Sequence, residues 1–143
     1  VILLEQSYVI FRLNSFSRNL RNELKTSKKI YFYDNGIRNA LIANFNQIEG
    51  RADRGALWEN FLISERKKFL EYNRLWGNSW CWRTKEKKEI DLVEERDGKI
   101  TGYEFKWNPD QKVKIPRLFL DSYENSDFQV IHRDNCDSFL LEY

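Results

Sequence analysis

Methionine is absent from this 143-residue sequence, and histidine, proline and cysteine number one, two and two. A lone His132 nearly excludes His-ligated zinc and His-based catalytic triads, and it reads as an ordinary residue ending a late strand. Cys81 and Cys136 lie far apart with no partner motif, which points to reduced thiols in a cytoplasmic protein rather than a disulfide framework. No apolar run reaches about eighteen residues and no signal-peptide pattern opens the chain, so no membrane contact is expected. Neither G-x-x-x-x-G-K-[ST] nor G-x-G-x-x-G occurs, so no nucleotide site is assigned to these residues. Charge of neither sign dominates: the formal net charge is +2, and any nucleic-acid signal must come from local clustering. Without methionine and starting at Val1, the chain is expected to be a fragment of a longer polypeptide.

Hydrophobic residues make up 41% and aromatic residues 15%, enough to fill the core of one α/β domain with a small appendage. Tyr8–Leu13 and Lys29–Asp34 read as strands, the first after a short helical end, and Asn35-Gly36 ends the second. Ile37–Asn44 is a short helix by its i, i+3, i+4 spacing. From about Gly55 to Leu75, Trp58, Phe61, Leu62, Phe69, Tyr72 and Trp76 recur on one helical face, and Gly77-Asn78 is the expected stop. Ser79–Thr84 is a strand whose Trp80 and Trp82 share a face, read as core before base-stacking. Pro116 opens a helix through Tyr123, Phe128–His132 is a strand, and Phe139-Leu140-Leu141 reads as a last short one.

The most informative stretch is Glu89–Lys106. Asp97-Gly98 between two apolar-containing runs signals a two-residue type I′ hairpin, since both central positions need φ > 0. With that turn Arg96 faces Lys99, Asp91 faces Glu104 and Glu89 faces Lys106. Directly opposed side chains have Cβ atoms about 5 Å apart, and like charges there repel. Two such acids call for a proton, a basic neighbour or a divalent cation, and Lys106 shares the face of Glu104. Asp91 is also expected to share a face with Val93 and Ile100, which would half-bury the acids and favour a cation.

A carboxylate followed across a hairpin by Glu-x-Lys, in the order helix, three strands, helix, strand, resembles the αβββαβ core of PD-(D/E)xK nucleases. More specifically the chain resembles the C-terminal domain of unknown function of bacterial and archaeal AAA-type ATPases. The resemblance rests on Lys29–Gly36, Leu57–Phe61, Trp82–Thr84, Glu89–Val93 and Tyr103–Lys106. It implies an α/β fold with a mixed sheet flanked by helices over residues 35–143, and the remnant of an N-terminal winged helix or linker over residues 1–34. It also implies an ATPase domain upstream in the same polypeptide. Carried over by residue, Glu59, Asp91 and Glu104 resemble ligands of Mg²⁺ or Mn²⁺, with the Phe105 carbonyl as a further donor. Lys106 resembles the catalytic lysine that works with Asp91 and Glu104. Hard oxygen ligands suit such ions, which polarise a phosphate and generate hydroxide.

Each of these residues also has a plainer reading. Glu59 suits the positive end of a helix, worth about 0.3–1 kcal/mol. Glu89 and Lys106 form a surface ion pair of little value. Arg18, Arg21, Lys25, Lys28, Lys29 and Arg83 are candidate phosphate contacts, or else solvated cations, a face for the ATPase and, for Arg83, a partner of Glu89 or Asp91. Lys112, Lys114 and Arg117 form a weaker second patch. Two functions follow: metal-dependent DNA phosphodiester hydrolysis, or a nuclease-fold module without catalysis that binds nucleic acid or a partner. Self-association stays open.

Overall fold

The computed structural model describes residues 1–18 and 20–142. Its elements run α1 (Ile2–Gln6), β1 (Ile10–Asn14), β2 (Lys28–Phe32), α2 (Asn35–Leu41), α3 (Arg54–Tyr72), β3 (Asn78–Arg83), β4 (Glu89–Arg96), β5 (Lys99–Phe105), α4 (Arg117–Ser122), β6 (Ser126–Ile131) and α5 (Cys136–Leu141). From α3 to β6 the order is αβββαβ. The sheet has strand order β3-β4-β5-β6, and β5 and β6 are parallel, as a crossover through α4 allows. The fold is thus mixed α/β. Among the described residues no helix is long and apolar enough to cross a membrane.

The β4–β5 register is the one the Asp-Gly dipeptide predicts, with Arg96 opposite Lys99 and Leu92 opposite Tyr103. Asp97 and Gly98 have φ +50 and +76, as a type I′ turn requires. α3 ends three residues before the expected Leu75. Arg74 takes φ +53 and donates to the Glu71 carbonyl, while Leu75 N–H donates to the Leu70 carbonyl at 2.9 Å, which closes the helix before Gly77 is reached. Phe139-Leu140-Leu141 is part of a helix and not a strand. A three-residue apolar run carries no period, and here tertiary packing decides: Phe139 sets its ring 4.9 Å from Tyr103 and 5.5 Å from Phe105.

Two apolar clusters sandwich the sheet. On the α3 side, Trp58, Leu62 and Ile63 pack with Leu92, Tyr103, Phe105, Ile131 and Phe139, and Phe11, Leu13 and Tyr31 of the antiparallel β1–β2 pair join them. Residues from both parts of the chain, 1–34 and 35 onward, therefore share this core. On the α4 side, Phe16, Trp82, Ile90, Val93, Ile100, Phe119 and Tyr123 form the second cluster. Trp82 is thus a core residue, and Trp80, partly buried, packs against the same cluster. Gly102 belongs to this face too, because a Cβ there would meet Ile90 at 3.2 Å and Phe119 at 3.5 Å.

Candidate functional site

The site lies where β4 and β5 part at the end away from their turn. β4 carries one residue more than β3 between two matched pairs: Trp80 faces Val93 but Trp82 faces Ile90, so Cys81 stands opposite both Asp91 and Leu92. Such a bulge re-aims side chains. Ile90 and Val93 both enter the α4-side core, whereas Leu92 enters the α3-side core. Asp91 turns with Leu92 toward α3. The β4–β5 pairing ends at Leu92 and Tyr103, and beyond it the Asp91 carboxylate accepts the Phe105 N–H at 2.9 Å. The expectation that Asp91 shares a face with Val93 and Ile100 is overturned by this bulge.

On the α3 side Asp91 meets Lys29 and Glu59. The Lys29 ammonium sits 3.0 Å from Glu59 Oε1 and 3.5 Å from Asp91 Oδ1, and the Tyr31 hydroxyl donates to Glu59 Oε1 at 2.6 Å. Lys29 and Tyr31 lie two apart on β2 and so point the same way. Glu59 is therefore held by side chains across the core rather than by the helix end. Burial, and then the Glu59 and Glu104 charges, push the Asp91 carboxyl up to about 7, against the opposing pull of Lys29 and the Phe105 N–H. Burial by itself would lower Lys29, yet the Glu59 and Asp91 charges outweigh it and hold the ammonium above its ordinary value. Burial and Glu59 likewise raise the Tyr31 hydroxyl, which stays a donor.

Glu104 leaves the hairpin on the other side. It lies two residues from Gly102, on the α4 face, and its carboxylate pairs with Lys106 at 2.9 Å. Both line an open groove of about 810 Å³ bordered by Trp82, Lys87, Lys88, Glu89, residues 111–118 and Phe128. The groove gathers six cations, Lys87, Lys88, Lys106, Lys112, Lys114 and Arg117, against the carboxylates of Glu89 and Glu104. Of the six only Lys106 is held in an ion pair among the described residues. Burial opposes and the Glu104 bond favours its ammonium, and Glu104 prevails to raise it.

The residues singled out from sequence as phosphate contacts are scattered. Arg18 pairs with Glu95 and lies over the rings of Phe16 at 4.8 Å and Trp80 at 5.4 Å. Lys29 is turned inward to the two acids. Arg83 pairs with Glu89, which replaces the expected Glu89–Lys106 pair. Arg21, Lys25 and Lys28 are exposed, away from the groove's lining. The segment that does face Glu104 is the one read as the weaker patch, together with Lys87 and Lys88. Lys87 and Lys88 stand in the turn between β3 and β4, and they join this patch only because that turn comes back toward residues 112–117 in the fold.

Three carboxylates suit a hard divalent ion in kind. In arrangement they do not fit one: among the described residues no three His, Cys, Asp or Glu side chains stand close enough to share a metal ion. Asp91 and Glu104 are drawn to different partners, Asp91 to Lys29 and the Phe105 N–H and Glu104 to Lys106, and a lysine already stands between Asp91 and Glu59.

Comparison with known proteins gives the chain a family. The family described as Domain of unknown function (DUF4143) matches residues 54–136, and the chain belongs to it. It is often found in AAA-ATPase-associated proteins. A second family, Domain of unknown function (DUF8612), matches residues 1–48. The uncharacterized protein Rv2008c of Mycobacterium tuberculosis and the uncharacterized protein Mb2031c of Mycobacterium bovis are each 30% identical over 105 residues. That match covers 72% of this chain but only 23% of either relative's length. No solved structure matches the chain.

Proposed function

We propose that this chain is a nuclease-like module that holds DNA for an AAA-type ATPase in the same polypeptide, along the basic groove beside Glu104 and Lys106. The carrying observation is the groove itself, where, among the described residues, five of six cations make no ion pair and gather around one strand end. Cations displaying no internal partner attract a polyanion chiefly through its phosphates, with counterion release and steep salt dependence. The αβββαβ order from Arg54 and the family's link to ATPases support the nuclease-like and ATPase-attached parts of this reading. Fluorescence anisotropy with a labelled duplex tests it. Replacing Lys112, Lys114 and Arg117 together by Gln lowers affinity at least about tenfold and flattens the salt dependence by roughly two to three ions. Unchanged affinity and slope would exclude the groove.

A second reading, metal-dependent phosphodiester hydrolysis, is favoured by one observation: Asp91 is within electrostatic reach of both Glu59 and Glu104 at the parted strand end. That reading expects plasmid nicking in Mn²⁺ that is lost in Asp91→Ala and in Lys106→Ala proteins. Nicking that persists in both variants, or is absent from the wild type, removes it and leaves the DNA-holding role.

A further inference from the structure

The acids on the α3 side are served by donors from within the chain. Lys29 reaches Glu59 Oε1 and Asp91 Oδ1, Tyr31 reaches Glu59 Oε1, and the Phe105 N–H reaches Asp91 Oδ2. Three of the four carboxylate oxygens are thereby engaged by protons. The arrangement is not a loose side chain that happens to lie near. Asn60, the neighbour of Glu59, clamps β2 to α3 by accepting the Phe32 N–H at 2.8 Å and donating to the Phe32 carbonyl at 2.9 Å. With β2 fixed at this height, residues 29 and 31 fall opposite Glu59. An ammonium is a compact point charge, and it fills the space that a small divalent ion with oxygen ligands at about 2.1 Å would need.

We propose that Lys29 is the built-in cation of the Glu59–Asp91 pair, and that the native chain is closed to divalent ions there because the lysine holds the place. This concerns Lys29, Glu59 and Asp91, none of which lines the basic groove, and it stands whether or not the groove holds DNA. Binding of a divalent ion between these acids then requires Lys29 to withdraw, either by swinging out to solvent or by release of the β1–β2 pair from α3.

Calorimetric titration with MnCl₂ tests the proposal without reference to any catalytic activity. The native chain gives no saturable heat dependent on Asp91. Lys29→Gln, which removes the ammonium and keeps most of the length, gains a saturable site at least about tenfold tighter than any wild-type binding, and Lys29→Gln/Asp91→Asn loses it again. Lys29→Arg keeps a positive charge and stays closed. If Lys29→Gln is too unstable to titrate, Mn²⁺ raises its Tm while leaving the wild-type Tm in place. Wild-type Mn²⁺ binding equal to that of Lys29→Gln and abolished by Asp91→Asn overturns the proposal. A Lys29→Gln protein that neither binds Mn²⁺ nor is stabilised by it does so equally.

Discussion

On the α3 side of the sheet, buried carboxylates face cations: Glu94 is bonded by Arg66 at 3.0 and 3.1 Å and by Arg96 at 3.1 Å, and Asp91 faces Lys29. On the α4 side, the buried Glu23 is satisfied by neutral donors, the Trp82 indole N–H at 2.8 Å, the Arg18 N–H at 3.0 Å and the Tyr123 hydroxyl. The cations of that side are left around the groove. The difference teaches where free positive charge can accumulate. A side whose buried acids take lysine and arginine has none to spare for a ligand. A side whose buried acid takes an indole and a phenol spends Arg18 and Lys106 on Glu95 and Glu104 and keeps the groove's other cations available. Lys29, engaged by Glu59 and Asp91, is therefore not among the cations left to meet a phosphate, whereas those around Lys112–Arg117 are.

The contrast is sharpest in stability. Arg66 also donates to the Phe139 carbonyl at 2.6 Å, so its loss leaves a buried carboxylate short of a cation and a backbone acceptor short of a donor. Breaking a buried pair from one side costs about 3–5 kcal/mol. Arg66→Met therefore destabilises the chain by about 3 kcal/mol or more in urea unfolding, with Arg96 making up part of the loss. Glu23→Gln is the comparison on the other side. It keeps one acceptor oxygen for Trp82 and Tyr123 but turns an amide toward the Arg18 N–H, a mismatch worth about 1–3 kcal/mol. Equal costs for the two variants would erase the distinction between the faces.

How much of this could be read from the residues depends on which interactions are local. The turn at Asp97-Gly98 is a two-residue property, and it fixed the β4–β5 pairing from Arg96–Lys99 to Leu92–Tyr103. The bulge at Asp91 is not local. Ile90-Asp91-Leu92-Val93 carries no sign of an added residue, which emerges only when Trp82 and Trp80 on β3 take their partners. One unseen residue turned Asp91 away from Val93 and Ile100 and toward Lys29 and the Phe105 N–H, and among the described residues the expected metal set does not form. Lys29 was visible as a charge, but its inward destination is set by the clamp of Asn60 on Phe32, a contact 28 positions apart in sequence. The groove failed to stand out for a related reason, since its cations come from residues 87–88, 106 and 112–117 and meet only in the fold.

A smaller effect probes how far Lys29 compensates Asp91, and so whether the α3 side is as fully balanced as its Glu94 pair implies. The Asp91 carboxyl is pushed up to about 7 from an ordinary value of 3.8, first by burial and then by Glu59 and Glu104. An acid whose folded value exceeds its unfolded one binds its proton more tightly when folded. Its contribution is full below about pH 4 and is lost as pH rises toward 7. Asp91→Asn keeps an oxygen for the Phe105 N–H and removes the charge. In metal-free buffer the variant gains stability over wild type as pH rises, from little difference at pH 4 to about 1–3 kcal/mol at pH 8, below the ceiling of about 1.36 kcal/mol per unit because Lys29 stays nearby. Urea unfolding across that range measures the gap directly. A constant deficit for Asp91→Asn at every pH would mean that Lys29 balances Asp91 completely, and that the strain on this acid is not what separates the two sides.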